Sequence, residues 1–276
     1  MKHLNYLKRA LIPMLIALVA AFPALAQPLS GTYTVGGTSP NYATLNAAIA
    51  AVNNNGVVGP VVFNIRSGTY TGTTAQGTLN TITGANATNT VTFQAESGPG
   101  TVTLSPSGTS NTDNFVFRLN NTNWVIIKDL TLNNTGTTYG VDVDFVGTAS
   151  NNTVTNCILT GNSATSTTQL KSRIYAYFTN TSTYAAGFSG ANNKVLNSSF
   201  PAGCSYAVYL YGSTAARPTN FEVSGNNMVP YYGSIGAYYA NDIKFNNNTI
   251  NKNTAGTGSF MGIYLSDCDS SLQVMN

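Results

Sequence analysis

One spacing restricts the folds open to this chain more than any other feature. The pattern apolar-x-Asn-x-x-apolar stands as Val154-Thr155-Asn156-Cys157-Ile158-Leu159, Val195-Leu196-Asn197-Ser198-Ser199-Phe200 and Phe245-Asn246-Asn247-Asn248-Thr249-Ile250. With one substitution each it recurs at 127–132, where Asp129 replaces the asparagine, and at 223–228, where Gly225 does; Val274-Met275-Asn276 begins it again. Successive copies start 27, 41, 28, 22 and 29 residues apart. A unit of that size holds about one coil of three short strands and their turns. Repetition at such a period means that each unit buries its apolar side against the next, which is a solenoid. Sandwiches and barrels also use short strands with regular turns, but they require no such repeat.

A second strand accompanies the repeat: Gly140-Val141-Asp142-Val143-Asp144, Ala207-Val208-Tyr209-Leu210-Tyr211, Gly236-Ala237-Tyr238-Tyr239 and Gly262-Ile263-Tyr264-Leu265, with Ile174-Tyr175-Ala176-Tyr177 in the long 41-residue step. Alternation of this kind gives a strand one dry face. With Val141, Val143 and Phe145 on the core side, Asp142 and Asp144 face solvent. Aligning the strands on their small leading residues sets Tyr175, Tyr209, Tyr238 and Tyr264 in line with Asp142, and Tyr177 and Tyr211 in line with Asp144. The first part of the chain differs. Gly31-Thr32-Tyr33-Thr34-Val35-Gly36-Gly37 reads as a strand closed by glycines. The i, i+3, i+4, i+7 spacing of Leu45, Ala48, Ile49 and Val52 predicts a helix over 41–52, capped by Asn41 or Thr44 and stopped by Asn53-Asn54-Asn55-Gly56. Val61-Val62-Phe63-Asn64-Ile65 follows as a buried strand.

Only 8% of the residues are charged, against roughly 25% in ordinary soluble domains. Residues 1–26 read as a secretory signal peptide, with Lys2, Lys8 and Arg9 before an apolar run at 10–21 and Ala24-Leu25-Ala26 as the cleavage site. The apolar run is short for a membrane span and carries Pro13. Removal of those three cations from twelve basic residues leaves nine, matching nine acidic ones. A neutral mature chain has no basic stripe for nucleic acid. The one histidine, His3, leaves with the signal, which excludes Ser-His-Asp and Cys-His catalysis and histidine-based zinc sites. Cys157, Cys204 and Cys268 are too sparse for a disulfide scaffold and read as buried thiols, with one disulfide as the alternative.

The Asn-rich coil with its Val-Tyr-Leu strands resembles the right-handed parallel β-helix of the pectate-lyase-like superfamily. The opening, through Tyr42-Ala43-Thr44-Leu45-Asn46-Ala47-Ala48-Ile49 and Gly59-Pro60-Val61-Val62-Phe63-Asn64-Ile65 with Ser67-Gly68-Thr69-Tyr70, resembles the N-terminal part of such domains in secreted Bacteroidota surface proteins. The resemblance implies an all-β chain, a right-handed single-stranded parallel β-helix (solenoid) with a short N-terminal capping helix. It also implies a turn ladder of positive φ at Asp129, Asn156, Asn197, Gly225 and Asn247. The expected organisation is a signal peptide at 1–26, a strand-helix-strand cap at 27–72 and β-helix coils at 73–276. Because the sequence stops inside a repeat, the chain reads as a fragment; relatives of this kind often add coils and a sorting domain for type IX secretion.

Several residues could carry chemistry. The six tyrosines form an expected ladder at strand spacings of about 4.8 Å, and rings with a hydroxyl suit sugar faces. A ladder of rings is also self-sufficient structure. Asp142 and Asp144, with Arg173 beside them, are partial material for an acid/base pair of the glycosidase type. Either that pair or Asp267 and Asp269 could hold calcium with backbone carbonyls; otherwise no cofactor and no metal site is expected. Asn111-Thr112-Asp113 matches one polygalacturonase-like signature, but the chain has no Asp-Asp and no Gly-His-Gly. Thr-x-Thr strands such as Thr90-Val91-Thr92 and Thr153-Val154-Thr155 have ice-binding spacing at irregular separations. The leading expectation is a secreted or cell-surface scaffold, non-enzymatic, with a glycan-binding or adhesive role toward an extracellular polysaccharide. The alternative is a polysaccharide lyase or glycoside hydrolase.

Overall fold

The structure, a computed structural model, describes residues 27–110, 112–137, 139–162, 172–178, 185–201, 203–255, 259–269 and 273–275. The signal segment, Asn111 and Lys171 lie outside them. The chain opens with β1 (Leu29–Val35), α1 (Leu45–Asn55), β2 (Val57–Ile65), β3 (Gly68–Thr71), a 3-10 turn (Gly72–Ala75) and β4 (Gly77–Leu79). It continues as β5 (Val91–Ala95), β6 (Val102–Ser105), β7 (Phe117–Asn120), β8 (Val125–Lys128), β9 (Thr131–Asn134) and β10 (Val143–Val146). Next come β11 (Thr153–Thr155), β12 (Ile158–Gly161), β13 (Ile174–Tyr177), β14 (Lys194–Leu196), β15 (Ser199–Phe200) and β16 (Tyr206–Tyr211). The last described strands are β17 (Glu222–Ser224), β18 (Asn227–Met228), β19 (Gly233–Tyr238), β20 (Lys244–Asn246), β21 (Thr249–Ile250), β22 (Met261–Ser266) and β23 (Gln273–Met275).

Every third strand falls in the same sheet. Sheet A runs β1-β2-β5-β8-β11-β14-β17-β20-β23, sheet B runs from β3 to β21, and sheet C from β4 to β22. Neighbours pair in parallel throughout. Coiling in the order A, B, C closes a right-handed parallel β-helix, whose core is the inward face of all three sheets. Rings line it, Phe63 stacked on Phe93 at 4.7 Å and Phe93 tilted against Phe117 at 5.5 Å between centroids.

The helix begins at Leu45, four residues later than the expected start at 41, and runs to Asn55. Asn41 is occupied elsewhere: its side chain accepts the Thr34 N–H at 2.8 Å, and Tyr42 bridges Val35. Thr44 is therefore the cap, its hydroxyl accepting the Ala47 N–H at 3.1 Å. The predicted face of Leu45, Ala48, Ile49 and Val52 is buried. It lies over β4, where a side chain at Gly77 would collide with Ile49 at 2.5 Å.

The A-to-B turn has the expected left-handed column: Asp129, Asn156, Asn197, Gly225 and Asn247 have φ between 48° and 70°. These residue types tolerate that conformation at little cost. The next position carries a second, inward-facing ladder through Cys157, Ser198, Asn226 and Asn248, with Leu130 at the corresponding place in the first repeat. The Ser198 N–H donates to Asn226 Oδ1 (2.8 Å), Asn226 Nδ2 donates to Val195 O (3.0 Å), and the Asn226 N–H donates to Asn248 Oδ1 (3.0 Å). Cys157 occupies the same column, and its N–H donates to Ser198 Oγ at 3.1 Å. Asn226→Ala strands the buried Ser198 N–H and breaks the side-chain ladder to Asn248, so we expect a loss of about 1–3 kcal/mol, read as a lower urea midpoint. An unchanged midpoint would show that the inward ladder carries no stability.

All three cysteines are free. Burial pushes the Cys157 thiol up to about 12 and the Cys204 thiol to about 11. Neither is a thiolate nucleophile at neutral pH. The Thr-x-Thr strands of sheet A do not stack into one array, because Ile126 lies between Thr92 and Thr153.

Candidate functional site

The outward face of sheet C collects the residues singled out for chemistry. Their side is as predicted: Val143 and Phe145 point into the core. Asp144 shares the opposite face with Tyr175, Tyr177, Tyr209, Tyr211, Tyr238 and Tyr264. The rows differ from the expected ones. Pairing aligns Thr78, Arg118, Asp144, Tyr175, Tyr209, Gly236 and Tyr264. Val146, Tyr177, Tyr211 and Tyr238 make the second row. Tyr238 thus moves between rows, and Gly236 takes its place; the ring of Tyr209 leans over that glycine, 2.7 Å from where a Cβ would stand.

Asp142 is in neither row. The Asp142 and Val143 N–H groups both donate to Arg173 O (2.9 and 3.0 Å), and Val116 and Phe117 both donate to Asp142 O (3.0 Å each). Two successive donors on one carbonyl mark a bulge. It breaks the alternation that sequence reading carried straight through residue 142, and it moves Val141 from the core into the outer cluster of Val146, Tyr175, Tyr177, Tyr206 and Tyr209.

Nor are the aspartates solvent-facing. Asp142 and Asp144 are fully buried, and Arg173 is 1% exposed. Each carboxylate has its own arginine. Arg118 Nε donates to Asp144 Oδ2 at 3.0 Å, its Nη2 lies 2.9 Å from the same oxygen, and the Tyr177 hydroxyl donates to that oxygen at 2.8 Å. Phe115 covers the other side of Arg118, its ring centre 3.9 Å from the guanidinium carbon. Asp142 Oδ1 accepts the Asn134 N–H at 3.0 Å, while Oδ2 stands 3.9 Å from Arg173 Nε. Arg173 is held by Gly140 O at 2.9 Å and by Gly203 O. Burial raises both carboxyls. Asp142 reaches about 8 against the pull of Arg173 and the Asn134 N–H. Asp144 is raised as well, opposed by Arg118 and Tyr177.

The tyrosine ladder is half closed. Tyr175 (3%), Tyr177 (0%) and Tyr209 (3%) are buried, while Tyr211, Tyr238 and Tyr264 are partly exposed. The rings tilt edge-to-face, with Tyr175 to Tyr209 at 5.3 Å and Tyr206 to Tyr209 at 4.9 Å. Tyr206, the first residue of β16, packs onto the row at Tyr209, and Tyr232, just before β19, packs onto Tyr206; rings that cover one another are not an open sugar platform. Arg118 was missed in sequence reading. Its signal is Phe117-Arg118-Leu119-Asn120, an alternating strand one coil before Asp144.

Unused hydrogen-bonding capacity concentrates on this sheet. Of nine buried side-chain polar atoms without a partner among the described residues, six belong to Asp142, Asp144, Ser172, Arg173, Ser205 and Ser234. Of the second pair considered for calcium, the Asp269 carboxylate lies 3.0 Å from Arg217 Nη1, which also donates to the backbone carbonyl of Asp267 at 2.8 Å, while Asp267 Oδ2 accepts from the Ser266 hydroxyl at 2.7 Å. Among the described residues no three His, Cys, Asp or Glu side chains converge, and no helix is long and apolar enough to cross a membrane.

No known protein family matches the chain, and no curated protein does. Solved structures do. Escherichia coli ybhC aligns at a TM-score of 0.51 and 12% identity, over 90% of this chain and 86% of that one. A pectin methylesterase from Aspergillus niger aligns at 0.46 and 13%, over 88% and 87%. Pectate lyase Pel9A aligns at 0.49 and 14%, over 88% of this chain but only 64% of its own length. At these identities the likeness is one of fold: the chain is a parallel β-helix.

Proposed function

We propose that this chain is an exported β-helix protein directed at an extracellular polysaccharide, and that it is an enzyme of the lyase or glycoside hydrolase type rather than a passive scaffold. The concentration of unsatisfied buried polar atoms around Asp142, Asp144 and Arg173 carries this reading. Buried ion pairs contribute little net stability compared with apolar residues of similar volume, and desolvated, shifted carboxyls beside cations are characteristic of sites that move protons. Asp142 keeps its proton at neutral pH and is suited to donate it. Arg118, the most exposed member of the cluster at 12% of its side chain, is suited to oppose negative charge on a uronate or at a reacting carbon. Solved proteins of this fold that act on pectin and pectate support the substrate class without bearing on the residues.

The enclosure of both aspartates favours a second reading, in which the partly open end of the ladder, Tyr211, Tyr238 and Tyr264, binds glycan without cleaving it. Both are tested in one experiment, with residues 27–276 incubated with a panel of soluble and insoluble polysaccharides. The enzyme reading expects new reducing or unsaturated ends on at least one polymer, lowered at least a hundredfold by Asp144→Asn. Retention without new ends, lost in Tyr238→Ala, would replace it with the binding reading. No retention and no cleavage would contradict both.

A further inference from the structure

The chain has one tryptophan, and it stands where a bulky residue is strained. Asn123 bridges Ser150 and Ile126 pairs with Thr153, which sets Trp124 opposite Asn151 at the entrance to sheet A. Trp124 (φ 64°), Asn151 (57°), Asn192 (57°), Asn220 (51°) and Asp242 (52°) all have left-handed backbone. Asparagine and aspartate suit that conformation; for a bulky side chain it is an outlier, and such outliers concentrate at binding sites. The asparagines also bond side chain to side chain, Asn192 Nδ2 to Asn151 Oδ1 at 3.1 Å and Asn220 Nδ2 to Asn192 Oδ1 at 2.7 Å. Trp124 replaces the amide at one end of that ladder with an indole.

The indole does not lie against a flat surface. It lines a cavity of about 250 Å³ on the outer face of sheet A with Ile126, Asn151, Thr153, Asn192 and Lys194. That volume is below the ~300 Å³ of the smallest drug-sized pockets and suits a single ring. One wall is a large apolar π-face. The others offer two amides, two hydroxyls (Thr90 and Thr153) and one ammonium, and the Lys194 side chain is 47% exposed and 3.3 Å from Glu222. A flat aromatic face edged by short polar groups is complementary to a pyranose, which has an apolar C–H face and a polar rim. Sheet A is a different face of the coil from sheet C.

We propose that this cavity is a glycan-binding subsite that seats one pyranosyl residue of a polysaccharide on Trp124. Asn151, Asn192 and Thr153 hold its hydroxyls, and Lys194 meets a hydroxyl or a uronate carboxylate at the rim. The site does not depend on whether sheet C is catalytic. Because Trp124 is the sole tryptophan, its emission reports on this cavity alone. The protein is titrated with cellohexaose and with hexagalacturonate, with calorimetry in parallel. The expected result is a saturable blue shift with at least one of them. Lys194→Ala lowers affinity at least threefold if the acidic sugar is the ligand and leaves cellohexaose binding unchanged. Trp124→Asn installs a residue suited to the backbone, so melting is unchanged or higher while binding falls at least tenfold; a merely structural tryptophan would instead lose stability. Unmoved emission with both sugars, or calorimetric binding that survives Trp124→Asn, overturns the proposal, and the latter places sugar binding elsewhere on the coil.

Discussion

Replacing Arg118 by methionine is expected to lower the unfolding free energy by about 3–5 kcal/mol. The arginine neutralises a carboxylate with no exposure, donating to Asp144 Oδ2 from Nε and pairing with it again through Nη2, beside the bond from the Tyr177 hydroxyl. Methionine keeps the length of the side chain and its packing on Phe115 but leaves Asp144 to be charged without a counterion or to take up a proton. The remedy identifies the cause: Asp144→Asn added to Arg118→Met removes the charge and recovers most of the loss. A single variant as stable as the parent in urea would mean that Asp144 is already neutral and that the pair contributes nothing.

The second large effect is in pH. Asp142 titrates near 8 in the folded chain and near 3.9 in an unfolded one. Between those values the folded state holds a proton that the unfolded state has released. Stability therefore falls as pH rises from about 4 to about 8 and levels off above, with a slope of at most about 1.4 kcal/mol per unit. Asp144, also raised by burial, acts in the same direction. Asp113 acts in the opposite one: burial, the largest single influence, raises it, but the backbone and side-chain bonds from Ser110 and Thr109 together outweigh that and hold it low, so its contribution is lost only in acid. Asp142→Asn keeps an acceptor for the Asn134 N–H and cannot titrate. We expect it to melt higher than the parent at pH 8.5 and to flatten the parent's decline between pH 5 and 8.5. A parent whose melting temperature is flat or rises over that range would contradict the enclosure of Asp142.

The solenoid was legible because its turns repeat. Asp129, Asn156, Asn197, Gly225 and Asn247 hold a left-handed backbone, and few residue types do so at low cost. The helix face was legible from periodicity, though its start was not, since only the fold shows Asn41 bonded to Thr34. The alternation held in the four sheet C strands that carry the tyrosines, β13, β16, β19 and β22, and so all six tyrosines point outward. What failed was alignment. A bulge at Asp142 leaves no local signal in Gly140-Val141-Asp142-Val143, and a glycine heading a strand in one coil, such as Gly236, lies within a strand row in the fold. Burial was illegible for a further reason. Outward on a strand means exposed only when nothing packs over it, and Tyr206 at the start of β16 and Tyr232 just before β19 pack onto that face. Trp124 was overlooked because a lone aromatic outside any alternating strand carries no pattern; its meaning comes from the column in which it stands.

The central claim is that the charged cluster on sheet C serves chemistry rather than stability. Its most direct test replaces the pair together, as Arg118→Met with Asp144→Leu, and measures urea unfolding and polysaccharide turnover on the same preparation. A buried pair exchanged for apolar residues of similar volume is often neutral or stabilising. The account predicts stability within about 1 kcal/mol of the parent or above it, with the formation of new polysaccharide ends abolished. A double variant that still cleaves at the parent rate would show that Arg118 and Asp144 are only part of the fold.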